Sequence, residues 1–317
     1  MKISRLLTFA AAFLAGSTLC LGAFAFDLQG HRGTRGNAPE NTLPAFERAL
    51  EIGVSTLELD IGVTADGVVV IAHDPYLNPV ITRDVTGQWL PGARGPLIKS
   101  LTVAQLQGYE LGRINPASDY AKTFSTQQPR DGTRMPTLMA LFDRVKALGA
   151  SGVRFNIETK IDPGKPEDTV SAEAMTRALL KVIQDTDMTP RVTIQSFDWR
   201  TLQLTQRLAP AIPTVYLTIQ TANTDNIADG SWTAGFKLAE HGTVPKLVKA
   251  AGGAVWSPNG GAVTEASEGS AGRRTALKTE AAETRSTRER RRFSREPSEE
   301  AGSPAHASKA CSAMNAT

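Results

Sequence analysis

Cysteine is nearly missing from this chain. There are two in 317 residues, and one of them, Cys20, lies in an N-terminal stretch that reads as removable. Cys311 alone has nothing to pair with, so a disulfide-built scaffold is excluded. Excess charge of one sign is also scarce, with 35 Lys and Arg against 32 Asp and Glu. Residues 267–317 hold ten of the basic and seven of the acidic side chains, which leaves 25 of each in residues 1–266, so the slight basicity belongs to the tail. No Gly-x-Gly-x-x-Gly occurs at a strand-to-helix turn, which removes the main support for a dinucleotide site. With 41% hydrophobic residues, what remains is the composition of an ordinary globular domain.

Residues 1–25 have the layout of a secretory signal peptide. Lys2 and Arg5 precede an apolar run over 6–21, and Ala23-Phe24-Ala25 offers small residues at the cleavage positions. Gly16, Ser17 and Thr18 interrupt a run already short of the ~20 apolar residues that a spanning helix needs. Leu19 stands before Cys20, where a lipoprotein signal uses a small residue. The expectation is an exported chain, periplasmic or secreted, starting near Phe26 and without stable membrane insertion. Metal ions are available there, and nucleotide cofactors generally are not.

From residue 26 to about 258, short apolar runs alternate with helical patterns, as in repeated strand-helix units. Strands are expected at 28–30, 56–63, 68–73, 154–160, 191–197, 214–219 and 254–257. Leu43, Phe46, Ala49 and Leu50 share one helical face, as do Leu138, Leu141, Phe142 and Val145, and Met175, Ala178, Leu179 and Val182. An α/β barrel and an open doubly wound sheet both fit this alternation. Residues 75–135 interrupt it with Pro, Gly and Gln around one helical piece at 103–109, and so long an insertion commonly shapes an active site. Residues 267–317 contain only Leu277 and Phe293 as large aliphatic or aromatic side chains, too few to offset ordering entropy, so a disordered tail is expected. The run Arg288-Glu289-Arg290-Arg291-Arg292 has glutamate interleaved and reads as solvated tail, with no nucleic-acid partner implied.

Two of the four histidines, His31 and His73, sit where strands are expected to end, and the reading takes both as carboxyl ends of parallel strands, where α/β proteins place their sites. Imidazole moves protons near neutral pH. Glu58 and Asp60 lie two apart on a strand, so both carboxylates project to one face. On an interior face two unpaired negative charges are very costly without a compensating cation. Asn156, Glu158 and Lys160 repeat the alternation on a later strand. Three carboxylates without cysteine suit one divalent cation, Mg²⁺ or Ca²⁺, better than Zn²⁺. A cation, two imidazoles, Arg32 and Lys160 together suit phosphoryl chemistry.

His31-Arg32-Gly33, Pro39-Glu40-Asn41-Thr42, Ala45-Phe46, Glu58-Leu59-Asp60, Thr64-x-Asp66-Gly67 and His73-Asp74 resemble, in order and spacing, the glycerophosphodiester phosphodiesterase family. Phe155-Asn156-Ile157-Glu158-Thr159-Lys160 and Gln195-Ser196-Phe197-Asp198 resemble later blocks of it, so the likeness runs from about Asp27 to Gly261. The resemblance implies a TIM-type barrel over residues 26–266 and metal-dependent hydrolysis of a small-molecule glycerophosphodiester to glycerol 3-phosphate and an alcohol. It implies Glu58, Asp60 and Glu158 as metal ligands and His31 and His73 as the acid-base pair. Arg32 and Lys160 would hold the phosphate, and Glu40 and Asn41 would support the first loop. By similarity to phosphatidylinositol-specific phospholipases C, the substrate's own glycerol hydroxyl is the first nucleophile, with His31 as base and His73 as acid. The insertion resembles the segment that covers the family's active site.

After Ala254-Val255-Trp256-Ser257-Pro258 the resemblance stops. The family continues with a helix and two further strands, one ending in a Trp-Thr-Val-Asn-like block and one in Thr-Asp, and neither block follows here. The switch near Ser267 reads as a change of frame in a GC-rich gene, which the downstream nucleotides in the other two frames would test. A paired strand of ~5–6 residues brings about ten hydrogen bonds at a net ~1 kcal/mol each, comparable with the ~5–15 kcal/mol that stabilises a whole domain. The expected fold is thus a barrel incomplete at its C-terminal end, with weak or absent turnover. Two alternatives stand beside the phosphodiesterase: a non-catalytic remnant or binding protein of the same family, and a phospholipase D-type enzyme on a related barrel.

Overall fold

The computed structural model of this protein describes residues 26–221 and 224–259. The expected export signal over 1–25, the expected tail over 267–317, Cys20, Cys311 and His306 all lie outside the described residues. The chain runs β1 (Gln29–Gly30), α1 (Leu43–Ile52), β2 (Thr56–Val63), β3 (Val69–Ile71), α2 (Val103–Leu106), α3 (Asp119–Thr123), α4 (Leu138–Ala147) and β4 (Arg154–Thr159). It continues through α5 (Ala172–Asp185), β5 (Val192–Ser196), α6 (Trp199–Leu208), β6 (Thr214–Thr218), α7 (Leu238–His241), α8 (Val244–Ala250) and β7 (Val255–Pro258).

Six strands form one parallel sheet in the order β1-β2-β4-β5-β6-β7. The order never reverses direction, as it must in a doubly wound sheet, so of the two architectures left open the barrel is the one adopted. It is a curled half-barrel of TIM type, open between β7 and β1 among the described residues.

Strand alternation divides the buried residues into two faces. Leu57, Leu59, Ile61, Phe155, Ile157 and Ile194 point to the helices and join Phe46, Phe142, Leu179 and Trp199 in the main core. Phe142 of α4 meets Phe155 of β4 edge to face at 4.8 Å, a contact that adds about 0.5–1.5 kcal/mol to the burial itself. The opposite face of the same strands carries Glu58, Asp60, Asn156, Glu158 and Gln195, and all five are buried too. Register sets them side by side, with Glu58 opposite Asn156, Asp60 opposite Glu158 and Glu158 opposite Gln195.

One expectation is corrected here. β3 pairs antiparallel with β2, so His73 does not end a parallel strand. Thr64 and Gly67 (φ 76°) close a tight hairpin, with Thr64 N–H donating to the Val68 carbonyl, and the chain turns straight back along β2. The Ala72 N–H then donates to the Asp60 carbonyl, which returns His73 to the level of the acidic pair.

The segment between β3 and α4 packs a second small core of Val70, Ala72, Leu77, Ile98, Leu106, Leu111 and Met135 against the hairpin. α2 ends at Leu106, short of the expected 103–109, and is closed at its start by a capping box between Thr102 and Gln105. α3 lies outside the expected elements, because its five residues are too few for apolar side chains to show a helical period.

Candidate active site

The loop after β1 makes a sharp reversal. Arg32 (φ 50°) and Gly33 (φ 80°) both occupy the left-handed region, where a non-glycine residue costs roughly 1–2 kcal/mol. A Cβ on Gly33 would stand 2.7 Å from the Ala45 backbone, so only glycine lets the turn lie against α1. Asn41 is left-handed as well (φ 55°). Two of the four left-handed non-glycine residues among those described, Arg32 and Asn41, thus have side chains that enter the site.

The turn delivers its groups onto β2. The Arg32 N–H donates to Glu58 Oε2 at 2.9 Å, and His31 Nε2 stands 3.8 Å from the same oxygen. Arg32 Nη1 donates to Glu40 at 2.7 Å while its Nε lies 3.4 Å from Asp60 Oδ2. Asn41 Nδ2 donates to Asp60 Oδ2 at 3.0 Å. From the far strands, Gln195 Nε2 donates to Glu58 Oε1 at 2.7 Å, and Lys160 Nζ donates to Glu158 Oε1 at 2.9 Å. Gln195 was quoted in the sequence only as part of a motif, and its role as a donor to Glu58 comes from the register of β5, which no local pattern reveals.

His73 is held from both sides. Its Nδ1 faces Asp74 Oδ1 at 3.1 Å and its Nε2 faces Lys160 Nζ at 3.1 Å. A carboxylate accepts only and an ammonium donates only, so Nδ1 carries the proton and Nε2 accepts. Asp74 is fixed in turn by Asn78 Nδ2 at 2.7 Å. Burial alone would raise the Asp74 carboxyl, but the hydrogen bond from His73 and the positive charge that ring carries when protonated, with Asn78 and Arg32, hold it down at about 2. For Asp60, too, burial pushes upward and is outweighed by His73, Arg32, Lys160 and Asn41, leaving a carboxylate far below its ordinary range.

Glu58, Asp60 and Glu158 each offer a carboxylate oxygen, all within 4.8 Å of one another and all buried. An all-oxygen set of this charge fits a hard divalent cation. A second observation agrees that the site is built for charged ligands. Arg32 is only 5% exposed, and its Nε–H has no hydrogen-bond acceptor although it is fully enclosed. The residues singled out in the sequence, His31, Arg32, Glu40, Asn41, Glu58, Asp60, His73, Glu158 and Lys160, therefore meet in one connected cluster at the end of the half-barrel's interior.

A curled parallel sheet with acidic side chains inside and imidazoles at the rim places the chain among TIM-type barrel proteins. Residues 31–256 match the glycerophosphoryl diester phosphodiesterase family, and the chain belongs to it. The glycerophosphodiester phosphodiesterase of Caldanaerobacter subterraneus subsp. tengcongensis is 29% identical over 180 residues, 57% of this chain and 61% of that protein. The Bacillus subtilis glycerophosphodiester phosphodiesterase is 29% identical over 192 residues, 59% of this chain and 57% of that one. The chain thus spans less than two thirds of the length of these curated relatives. A crystal structure of a Silicibacter pomeroyi protein of the same family superposes with a TM-score of 0.64 at 32% identity, covering 74% of each chain.

Proposed function

We propose that this chain hydrolyses glycerophosphodiesters to glycerol 3-phosphate and an alcohol, with a divalent cation, Mg²⁺ or Ca²⁺, held by Glu58, Asp60 and Glu158. The observation that carries the reading is the meeting of that buried carboxylate triad with His31, His73, Arg32 and Lys160. Bound there, the cation would supply Lewis-acid polarisation of a phosphoryl oxygen.

The chain's own residues do the rest. The Arg32 guanidinium orients the phosphate, and the Lys160 ammonium opposes its developing charge. His31 takes the proton of the substrate's glycerol hydroxyl as that oxygen attacks phosphorus. The bond from phosphorus to the alcohol oxygen breaks, and His73 protonates the leaving alkoxide. In the free site Lys160 donates to the unprotonated Nε2; when the ammonium moves to the phosphate, Nε2 takes a proton from solvent, and the resulting imidazolium is the acid that protonates the alkoxide. Asp74 steadies the imidazolium through Nδ1. The cyclic phosphate is then opened by water, His73 acting as base and His31 returning a proton to the glycerol oxygen. Residues 1–25 support an exported site of action.

Purified chain with glycerophosphocholine and Mg²⁺ or Ca²⁺ should release glycerol 3-phosphate, and a chelator should stop it. With lysophosphatidylcholine as substrate, release of choline with a cyclic lipid phosphate would instead indicate phospholipase D-type chemistry. The open edges of β1 and β7 among the described residues favour one competing reading, a folded family member without turnover. A cooperative melting transition with no product under any cation would select it.

A further inference from the structure

The insertion reaches Glu40 and Arg32 through the side chain of Tyr120. α3 and the residues after it lie across the loop that carries Arg32. Thr126 Oγ1 donates to the Gly36 carbonyl at 2.8 Å, Gln127 Nε2 to the Arg35 carbonyl at 2.6 Å, and the Gln128 N–H to the Asn37 carbonyl at 2.9 Å. The Arg35 guanidinium covers the Phe124 ring at 4.8 Å. Within this clamp Tyr120 donates its phenolic hydroxyl to Glu40 Oε2, eighty residues away, while Glu40 Oε1 accepts from Arg32 Nη1. Both oxygens of Glu40 are therefore committed, one to the insertion and one to Arg32.

We propose that Tyr120 is a positioning residue for phosphate binding: through Glu40 it fixes the guanidinium of Arg32 beside Asp60, in the pose that receives the phosphate. The inference rests on the phosphodiesterase reading only for the identity of the anion. Glu40 and Arg32 are both buried, with 6% and 5% exposure, so neither has solvent to replace a lost partner. A carboxylate gripped at one oxygen only can rotate about its terminal torsion, which is broad and soft, and the guanidinium follows it. The Tyr120 ring is held independently, edge to face on Phe124 with centroids 4.7 Å apart. Removing the hydroxyl therefore leaves the packing in place and tests the hydrogen bond alone.

The experiment is Tyr120→Phe in the full chain, read by titration with inorganic phosphate in the presence of Mg²⁺ and by steady-state kinetics on glycerophosphocholine. The expected result is Kd for phosphate and KM both raised about tenfold, the factor that one hydrogen bond to a charged group commands, with kcat changed less than twofold. Arg32 grips the phosphate equally before and during reaction, so the loss falls on KM. In a Glu40→Ala background the same substitution should add less than twofold, because the connection is already cut. An unchanged phosphate Kd in Tyr120→Phe, or an equal additional factor in both backgrounds, would overturn the proposal. Should the unsubstituted chain bind phosphate but hydrolyse nothing, the hydrolytic reading would fall, and the phosphate titration would still decide for or against Tyr120.

Discussion

Glu158→Gln separates the chemistry of the carboxylate triad from its contribution to folding. Glu158 lies within 4.8 Å of both Glu58 and Asp60. At an effective dielectric of about 20 each such pair repels by at least ~3.5 kcal/mol, so neutralising Glu158 relieves about 7 kcal/mol. The same change forfeits the attraction of Lys160 at 2.9 Å, about 6 kcal/mol on the same scale. The amide keeps an oxygen to accept the Lys160 hydrogen bond, so the two terms nearly cancel. Without a divalent cation the variant should therefore unfold within about 1 kcal/mol of the unsubstituted chain. With one present at a hundredfold its Kd, the intact triad gains about 2.7 kcal/mol, which raises Tm by roughly 5–10 °C for a domain of this size. The variant should gain little of that. The assay is thermal unfolding followed by circular dichroism, with chelator and with excess Mg²⁺ or Ca²⁺. Equal cation shifts in both proteins, or none in either, would refute the claim that these three oxygens share an ion.

His31→Ala and His73→Ala should each lower turnover of glycerophosphocholine by about 10²–10⁴-fold while preserving the cation-dependent rise in Tm; a parallel loss of that rise would show that the imidazoles serve the ion instead. Gly33→Ala forces a Cβ against the Ala45 backbone at 2.7 Å and should cost about 1–3 kcal/mol in urea unfolding, whereas a neutral result would mean that α1 yields freely. Asp74, held at about 2 against an ordinary value near 4, contributes about 2 kcal/mol that is fully present above pH ~4 and lost as the pH falls from ~4 towards ~2. Asp74→Asn should flatten that acid limb, and identical acid unfolding curves for the two proteins would dismiss the pairing with His73.

Much of the site was legible because strand alternation is a local property. Glu58 with Asp60, and Glu158 with Lys160, share a face whatever the rest of the chain does, and the burial of the two acidic strands follows from flanking Leu57, Leu59, Phe155 and Ile157. The antiparallel course of β3 was misjudged, although Asp66-Gly67 carried a hairpin signal. An expectation of uniform strand-helix units overrode a local turn. Gln195 and Tyr120 were invisible as site residues for a different reason. Each makes its decisive contact across more than seventy residues of sequence, through sheet register in one case and the docking of the insertion in the other.

The open edge of the sheet among the described residues bears unequally on the two halves of the site. Glu58, Asp60 and Glu158 stand on β2 and β4, which are hydrogen-bonded on both sides. His31 and Arg32 follow β1, a two-residue strand paired only through Gln29 with Thr56 and Gly30 with Leu57, and with no strand beyond it among the described residues. Asp27 reinforces this edge by accepting from Ser55, Thr56 and Arg154, but that anchor is partly open to water. An exposed edge opens at lower free energy than a central strand. Fraying should therefore remove His31 and Arg32 from the site before it disturbs the carboxylates, so cation binding would persist where turnover is weak. Native-state hydrogen exchange should show amides of residues 29–33 exchanging at least tenfold faster than those of 57–61 and 155–159, a gap of about 1.4 kcal/mol in opening free energy. Equal protection across the three segments would mean that the open edge does not govern the site, and low activity would then need a cause within the catalytic groups themselves.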